Sequence, residues 1–350
     1  MNVAIIGCGL IGRKRAAALD LEDVLAACCD TNEAAAKKFA EEFKCACYTD
    51  YRKLLSEIES DSVVVSVVNK FAKEIVIDAL KSGKHVLAEK PLGRNASESA
   101  EMLAALRLSQ SPGLPVSPSP SPRVSESPHL LLKTGFNHRF HPAIRKAKEL
   151  LDAGTIGRLF NIRAAYGHGG RPGMEKEWRA SKELCGGGEL LDQGVHVIDL
   201  VRWFGGEIEE LTGNIETKFW EMEVEDNAYV IAKTQKGVTA SFHVSWTNWR
   251  NVFSFEVFGT QGYLKMSGLG GSYGAESLEI GTRRKEGGRP DIEVIDFPPE
   301  DVSWKEEWKE FKSAISENRQ PIGNGHDGMK ANQVIEAIYK SSREKKWVSL

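Results

Sequence analysis

The chain opens on an apolar run, Val3 to Ile6, broken at once by Gly7-Cys8-Gly9-Leu10-Ile11-Gly12. An Ala-rich stretch of helical character follows, and a second apolar run, Leu25 to Cys29, closes on Asp30. The pattern predicts strand, glycine turn, helix, strand and acid. Thr31 or Asn32 then caps a helix to about Phe43, and Tyr48 starts a short strand. Residues 51–58 predict a helix with Leu54, Leu55 and Ile58 on one face. The run over 63–68 is apolar on both faces, as in a central parallel strand. A helix over 73–81 stopped by Gly83, a strand over 85–88, a helix over 97–108 and a strand over 130–136 complete a first sheet.

The second half has a different texture. A helix is expected over 142–151 and a strand over 159–166. Gly186-Gly187-Gly188 opens one helix over 189–204, ended by Gly205-Gly206. Strands then dominate, at 208–219, 228–234, 239–246, 253–258, 263–266, 278–280 and 292–295. Their hairpin-like spacing predicts a mostly antiparallel sheet. Helices over 304–317 and 326–344 close the chain. The fold class is therefore α/β: an N-terminal doubly wound parallel sheet of Rossmann type over 1–138, then a C-terminal α/β domain over 139–350 with a large, mostly antiparallel sheet. Residues 109–128 alternate Ser and Pro, which forbids both helix and ladder pairing. This stretch is expected to be a mobile surface insertion.

Length agrees with two domains, since 350 residues exceed what one core usually serves. A net charge of −3 gives no global attraction to nucleic acid or to an anionic membrane. No apolar run approaches the ~18 residues of a membrane span. The first strand begins at Val3, which leaves no room for a signal peptide, so a cytoplasmic location is expected. The six cysteines include no C-x-x-C pair and read as small buried thiols.

Candidate chemistry begins at the glycine turn. Gly7 allows the tight turn, Gly9 a close approach of pyrophosphate, and Gly12 close helix–strand packing. The helix that starts at Leu10 and Ile11 aims its free N–H groups at the phosphates. Asp30 stands where a carboxylate accepts both ribose hydroxyls and repels a 2′-phosphate, so the cofactor reads as NAD. Arg13 and Lys14 would serve a phosphate and keep NADP in view. Glu89-Lys90-Pro91 lies at a strand end, where ligands of open α/β sheets bind. Asp192 and His196 at i and i+4 on one helix present a carboxylate and an imidazole to the same space, with Asp199 continuing that face. The triple glycine before them leaves room for substrate. Asn137-His138-Arg139 and Trp178-Arg179 offer amide, guanidinium and ring faces to a polyhydroxylated ligand. The glycine-rich loop 167–173, with Arg171, would suit an anionic substrate such as a UDP-sugar. His138, His141 and His196 lack the helical H-E-x-x-H context of a zinc site, and no metal is expected.

These motifs together resemble the Gfo/Idh/MocA oxidoreductases: Gly7 to Gly12, Asp30, Glu89-Lys90-Pro91, Asn137-His138-Arg139-Phe140, and Gly186-Gly187-Gly188 with Asp192 and His196. The resemblance spans nearly the whole chain and implies catalytic positions at Lys90, Asp192 and His196. It implies cofactor contacts from the glycine turn, Asp30, Asn69, Glu89 and Lys90. It also implies that the large, mostly antiparallel C-terminal sheet is open and makes the subunit contacts of a homodimer or homotetramer. The family often has Thr-Pro then His after the third core strand, where this chain has Val67-Val68 and Ala72. The expected activity is NAD-dependent hydride transfer at a secondary hydroxyl of a sugar, cyclitol or nucleotide-activated sugar. His196 takes the proton, Lys90 stabilises the alkoxide and Asp192 orients or charge-balances the pair. Two rival classes keep the same fold: a glycoside hydrolase that uses NAD transiently, and a non-catalytic dinucleotide sensor.

Overall fold

A computed structural model describes residues 1–110 and 129–350. Most of the Ser/Pro-rich stretch, expected to be a surface insertion, lies outside them. The described chain divides into two compact units, Met1–Gly135 with Trp304–Met329, and Phe136–Ser303 with Lys330–Leu350.

The first unit alternates strand and helix: β1 (Asn2–Ile6), α1 (Leu10–Ala17), β2 (Val24–Cys29), α2 (Glu33–Phe43), β3 (Ala46–Tyr48), α3 (Tyr51–Glu57), β4 (Ser62–Val65), α4 (Asn69–Lys81), β5 (His85–Ala88), α5 (Ala96–Ser109) and β6 (Leu132–Thr134). The strands run parallel in the order β3-β2-β1-β4-β5-β6. This is a doubly wound sheet whose switch point falls between β1 and β4. Every residue of β4 is buried, as its unbroken apolar run requires. Alternate strand residues feed two cores. Ala4, Ile6, Val63, Val65, Val86 and Ala88 pack on one face, and Val3, Ile5, Cys28, Val64 and Leu87 on the other. Asn32, one of the two expected caps, accepts the Ala35 N–H at the start of α2.

A helix far along the chain, Ser303–Ser316, also belongs largely to this unit. Its Trp308, Phe311 and Ala314 are buried against the second of those cores. The expected division at residue 138 therefore differs from the contacts, which return residues 304–329 to the first unit. Amphipathicity reveals that a helix has a buried face but not which sheet it covers.

The second unit continues with α6 (Pro142–Asp152), β7 (Leu159–Gly167), α7 (Lys182–Cys185), α8 (Glu189–Asp192), α9 (Gly194–Gly205), β8 (Ile208–Glu216), β9 (Asn227–Thr234), β10 (Thr239–Ser245), β11 (Val252–Gly259), β12 (Gly262–Ser267), β13 (Ser277–Thr282) and β14 (Asp291–Asp296). The helix at Ser303–Ser316 is α10; α11 (Gly325–Glu344) and β15 (Val348–Ser349) follow. Nine strands form one sheet in the order β14-β13-β12-β11-β7-β10-β9-β8-β15. Only the β7–β10 pair is parallel. In β9, Ala228, Val230 and Ala232 point into a core shared with α9, whereas Tyr229 and Ile231 face out at 40% and 46% exposure. No helix among the described residues is long and apolar enough to cross a membrane.

Candidate active site

In the first unit the glycine turn is built as its spacing predicts. Gly7 sits at φ +102°, and a Cβ there would strike the Ser66 carbonyl. A Cβ on Gly12 would strike the Gly7 carbonyl, so α1 packs on its strand only with glycine at that position. A Cβ on Gly9 would meet nothing within 4 Å among the described residues. Gly9 is the N-cap of α1, and no side chain caps the helix. The first-turn amides, beside exposed Leu10 and half-buried Ile11, thus border open space at the positive end of a helix. One oxygen of Asp30 accepts the Cys8 N–H at 2.9 Å and the other the Asn32 N–H at 2.9 Å. A carboxylate has about four acceptor sites, so both oxygens keep capacity for ribose hydroxyls. These residues fit a bound NAD.

The nearby cations are engaged elsewhere. Arg13 pairs with Glu42 and lies 5.7 Å over the Phe39 ring, and Lys14 lies 5.0 Å over the Trp304 ring. Neither is reserved for a 2′-phosphate. Asn69, half-buried, begins α4 at the end of β4, beside the switch point. Lys90 is half-buried just past β5. Glu89 requires a correction. Its carboxylate is bound by the buried Arg15 guanidinium at 2.6 Å, and Arg15 also holds Glu307 of α10 at 2.6 Å. Burial pushes the Glu89 carboxyl up while Arg15 pulls it down. The Glu89 carboxylate is therefore committed to the Arg15 ion pair that ties β5 to α1 and α10.

In the second unit the expected helix over 189–204 breaks at Gln193 into α8 and α9. The His196 N–H bonds to the Gln193 carbonyl, three residues back, which tightens the path locally. Gly194 is wedged there, its Cβ position 3.0 Å from Leu190 and 3.2 Å from Val244. Asp192 and His196 therefore do not share one regular helix face, and their surroundings differ. The Asp192 side chain is 26% exposed and lies 3.5 Å from the Arg179 guanidinium, itself 33% exposed. His196 is buried, with its ring stacked on His138 at a centroid separation of 3.7 Å. Asp199 does not continue an active face. It forms a buried two-point pair with Arg139, at 2.7 and 2.6 Å.

That pair also corrects the reading of Arg139, whose guanidinium is turned to Asp199 rather than to a ligand. Asn137 is buried, with its amide nitrogen on Ser303 at 2.9 Å and its oxygen on His138 at 3.2 Å. Trp178 and Arg179 are half-buried and stack, with the guanidinium 4.4 Å from the ring centroid. At two of the three glycines a side chain would collide with protein. A Cβ on Gly187 would strike the Tyr339 hydroxyl, and one on Gly188 the Glu225 carbonyl. In the loop after β7, Arg171 is exposed and grips Glu177 through both carboxylate oxygens. His141 bonds Glu276 at 2.6 Å, so the three histidines weighed as zinc ligands are engaged in ring stacking and hydrogen bonds.

Sequence reasoning missed Tyr166, Tyr273 and His168. Tyr166 is buried at 3.2 Å from His138, and Tyr273 takes a 2.8 Å bond from Gln193 and packs on Tyr166. His168 lies in the glycine-rich loop, where burial lowers its pKa and the charge of Asp192 opposes that shift. A histidine between glycines was the available signal. For the tyrosines no local signal exists, because strand periodicity says only that Tyr166 is inside.

A pyrophosphate cradle on a doubly wound sheet, followed in the same chain by a large, mostly antiparallel sheet, defines a class: the NAD-dependent oxidoreductases. Residues 1–112 match an oxidoreductase family with an NAD-binding Rossmann fold, and residues 144–265 match the Gfo/Idh/MocA C-terminal domain. The chain belongs to the Gfo/Idh/MocA oxidoreductase family. It is 24% identical to levoglucosan dehydrogenase of Pseudarthrobacter phenanthrenivorans, over 100% of this chain and 98% of that one. It is 26% identical to myo-inositol 2-dehydrogenase of Thermotoga maritima, again over 100% and 98%. The structure of a levoglucosan dehydrogenase in complex with NADH has the same fold, with a TM-score of 0.86 at 22% identity, covering 100% of this chain and 98% of that one.

Proposed function

We propose that this oxidoreductase moves hydride between NAD and a secondary hydroxyl or ketone of a sugar, a cyclitol or a nucleotide-activated sugar. The observation that carries the reading is the Asp192–Arg179 pair. A half-exposed carboxylate and guanidinium 3.5 Å apart, with the Trp178 ring against the guanidinium, offer an acceptor, donors and an apolar face together. A polyol presents hydroxyls in its plane and C–H groups above it, and matches that set. The names of the relatives, levoglucosan and myo-inositol dehydrogenases, support the same substrate class.

Bound NAD supplies the hydride acceptor. His196 takes the hydroxyl proton, a role for which imidazole suits neutral pH. Asp192 accepts a neighbouring hydroxyl and orients the sugar, and Trp178 and Arg179 hold it. Lys90 is proposed to stabilise the charge on oxygen; this rests on its place past the end of β5 alone. We also propose a homodimer or homotetramer assembled through the open sheet face that carries Tyr229 and Ile231.

The test is a panel of sugars, cyclitols and nucleotide-activated sugars, assayed with NAD or NADH by the absorbance of reduced nicotinamide. At least one class should turn over. A protein that binds NAD yet exchanges hydride with none of them overturns the reading. Glycoside cleavage without net NADH would select the hydrolase.

A further inference from the structure

His138 and His196 lie ring on ring, with centroids 3.7 Å apart and planes 18° apart, and are 5% and 4% exposed. Two imidazoles in such contact repel if both are charged, so the protonation of one depends on the other. A chain of hydrogen bonds decides which stays neutral. Ser303 Oγ donates to the Asp301 carboxylate at 2.6 Å, so it accepts from Asn137 Nδ2 at 2.9 Å. That fixes the amide and turns Asn137 Oδ1 to His138 Nδ1 at 3.2 Å. An amide oxygen only accepts, so Nδ1 carries a proton, and Nε2 lies 3.2 Å from the Tyr166 hydroxyl, which can donate to it. Burial raises the Tyr166 phenol well above its ordinary pKa, so that donor keeps its proton. The neutral form of His138 can thus use both ring nitrogens in these two contacts.

We propose that His138 is a positioning residue: a tautomer-locked, neutral imidazole whose π face supports the positive charge on His196 when His196 takes the substrate proton. The role in turnover rests on the proposed dehydrogenase reading; the coupling of the two rings does not. The sequence could not show it, because the lock joins residues 137 and 138 to residues 166, 301 and 303.

Other charged groups surround the stack. Tyr166 comes from β7, and Tyr273 from the turn Gly271–Tyr273. Glu189 and Asp192 of α8 act electrostatically on Tyr166. His141, edge-on to His138 at 5.4 Å, is bound to Glu276, and Arg139 is bound to Asp199. The last two pairs each set a positive or protonatable group against a carboxylate. His138 is the neighbour in face-to-face contact.

The test is nitrogen NMR of the full-length protein labelled at histidine, titrated between about pH 5 and 8. His138, assigned by the loss of its signals in His138→Leu, should stay neutral with its proton on Nδ1 while His196 titrates. His138→Leu should lower the His196 titration by about half to one pH unit. His138→Phe, which keeps an aromatic face, should retain most of the wild-type value. Should the leucine variant not fold, Tyr166→Phe frees Nε2 to compete for the proton and should shift His196 in the same direction. An unshifted His196, or a His138 that carries its proton on Nε2 or titrates first, overturns the proposal. No substrate enters these measurements, so they stand whatever the substrate panel yields. With a substrate in hand, the acidic limb of kcat/KM should move with the His196 titration in His138→Leu. A loss of rate equal at every pH would mean packing alone and would also overturn the proposal.

Discussion

The carboxylate of Asp30 accepts the backbone N–H of Cys8 at 2.9 Å, so the acid that ends β2 also closes the glycine turn that leads into α1. One side chain thereby shapes the phosphate cradle and sets its charge. Asp30→Asn keeps an oxygen for Cys8 and removes the negative charge. Wild type should bind NAD at least tenfold more tightly than NADP, a difference of about 1.4 kcal/mol, and Asp30→Asn should narrow it. Calorimetric titration with both cofactors checks this. Equal binding by wild type would show that Asp30 does not face the ribose 2′ position.

The nucleotide half was legible because its requirements are local. Gly12 is demanded by the Gly7 carbonyl within the same turn, and Asp30 follows at fixed spacing, although the contact that demands Gly7 comes from Ser66 past β4. The hairpin-like spacing of the apolar runs likewise gave the second sheet and most of its strands. What stayed hidden depends on partners distant in sequence. Nothing near Arg139 announces Asp199, and nothing near Gly187 and Gly188 announces Tyr339 and Glu225. The break at Gln193 follows from Gly194 lying against Val244, a residue of β10. Local pattern outlined most elements but could not say where α8 ends and α9 begins, nor which residues were already committed inside the core.

Arg139 and Asp199 form a buried pair with two short hydrogen bonds. Removing one partner strands the other charge, at a cost of about 3–5 kcal/mol. Arg139→Ala should therefore lower the urea midpoint strongly, and Arg139→Met with Asp199→Leu should recover much of the loss. If Arg139→Ala instead raised KM with unchanged stability, Arg139 would return as a substrate contact.

Glu225 clamps the start of α8. Its Oε1 accepts from Gly188 N at 3.0 Å, Leu190 N at 3.1 Å and the Tyr339 hydroxyl at 2.8 Å, and its carbonyl accepts from Glu189 N at 3.0 Å. Glu225→Gln keeps an acceptor oxygen and should be mild. Glu225→Ala leaves buried donors unsatisfied, at about 1–3 kcal/mol each, and should lower both stability and kcat. Equal effects from the two variants would place the role in the charge rather than in the acceptor.

The open face of the second sheet exposes Tyr229 and Ile231 within one strand, with Tyr229 stacked on His243 at 4.2 Å. Exposed apolar groups on a broad sheet are covered at low cost by a second copy. Ile231→Lys should lower the oligomeric mass measured by light scattering without changing NAD affinity. An unchanged mass would move the interface elsewhere, and a monomeric wild type would remove it.

The last prediction separates chemistry from cofactor binding. His196 is buried with its ring stacked on His138, Asp192 sits half-exposed against Arg179, and Lys90 follows β5 in the nucleotide unit. Loss of a general base typically costs about 10²–10⁴ in rate. His196→Ala and Lys90→Ala should each lose kcat on that scale while NAD affinity stays within a few-fold. Asp192→Asn keeps the shape and an acceptor oxygen but weakens the hold on Arg179, so its main effect should fall on KM. Coupled catalytic groups are not additive, so a double variant of His196 and Lys90 should be little worse than the worse single one. The outcome that removes His196 from the chemistry is near-wild-type kcat in His196→Ala. In that case Lys90 carries the proton transfer, and Lys90→Ala alone should lose kcat.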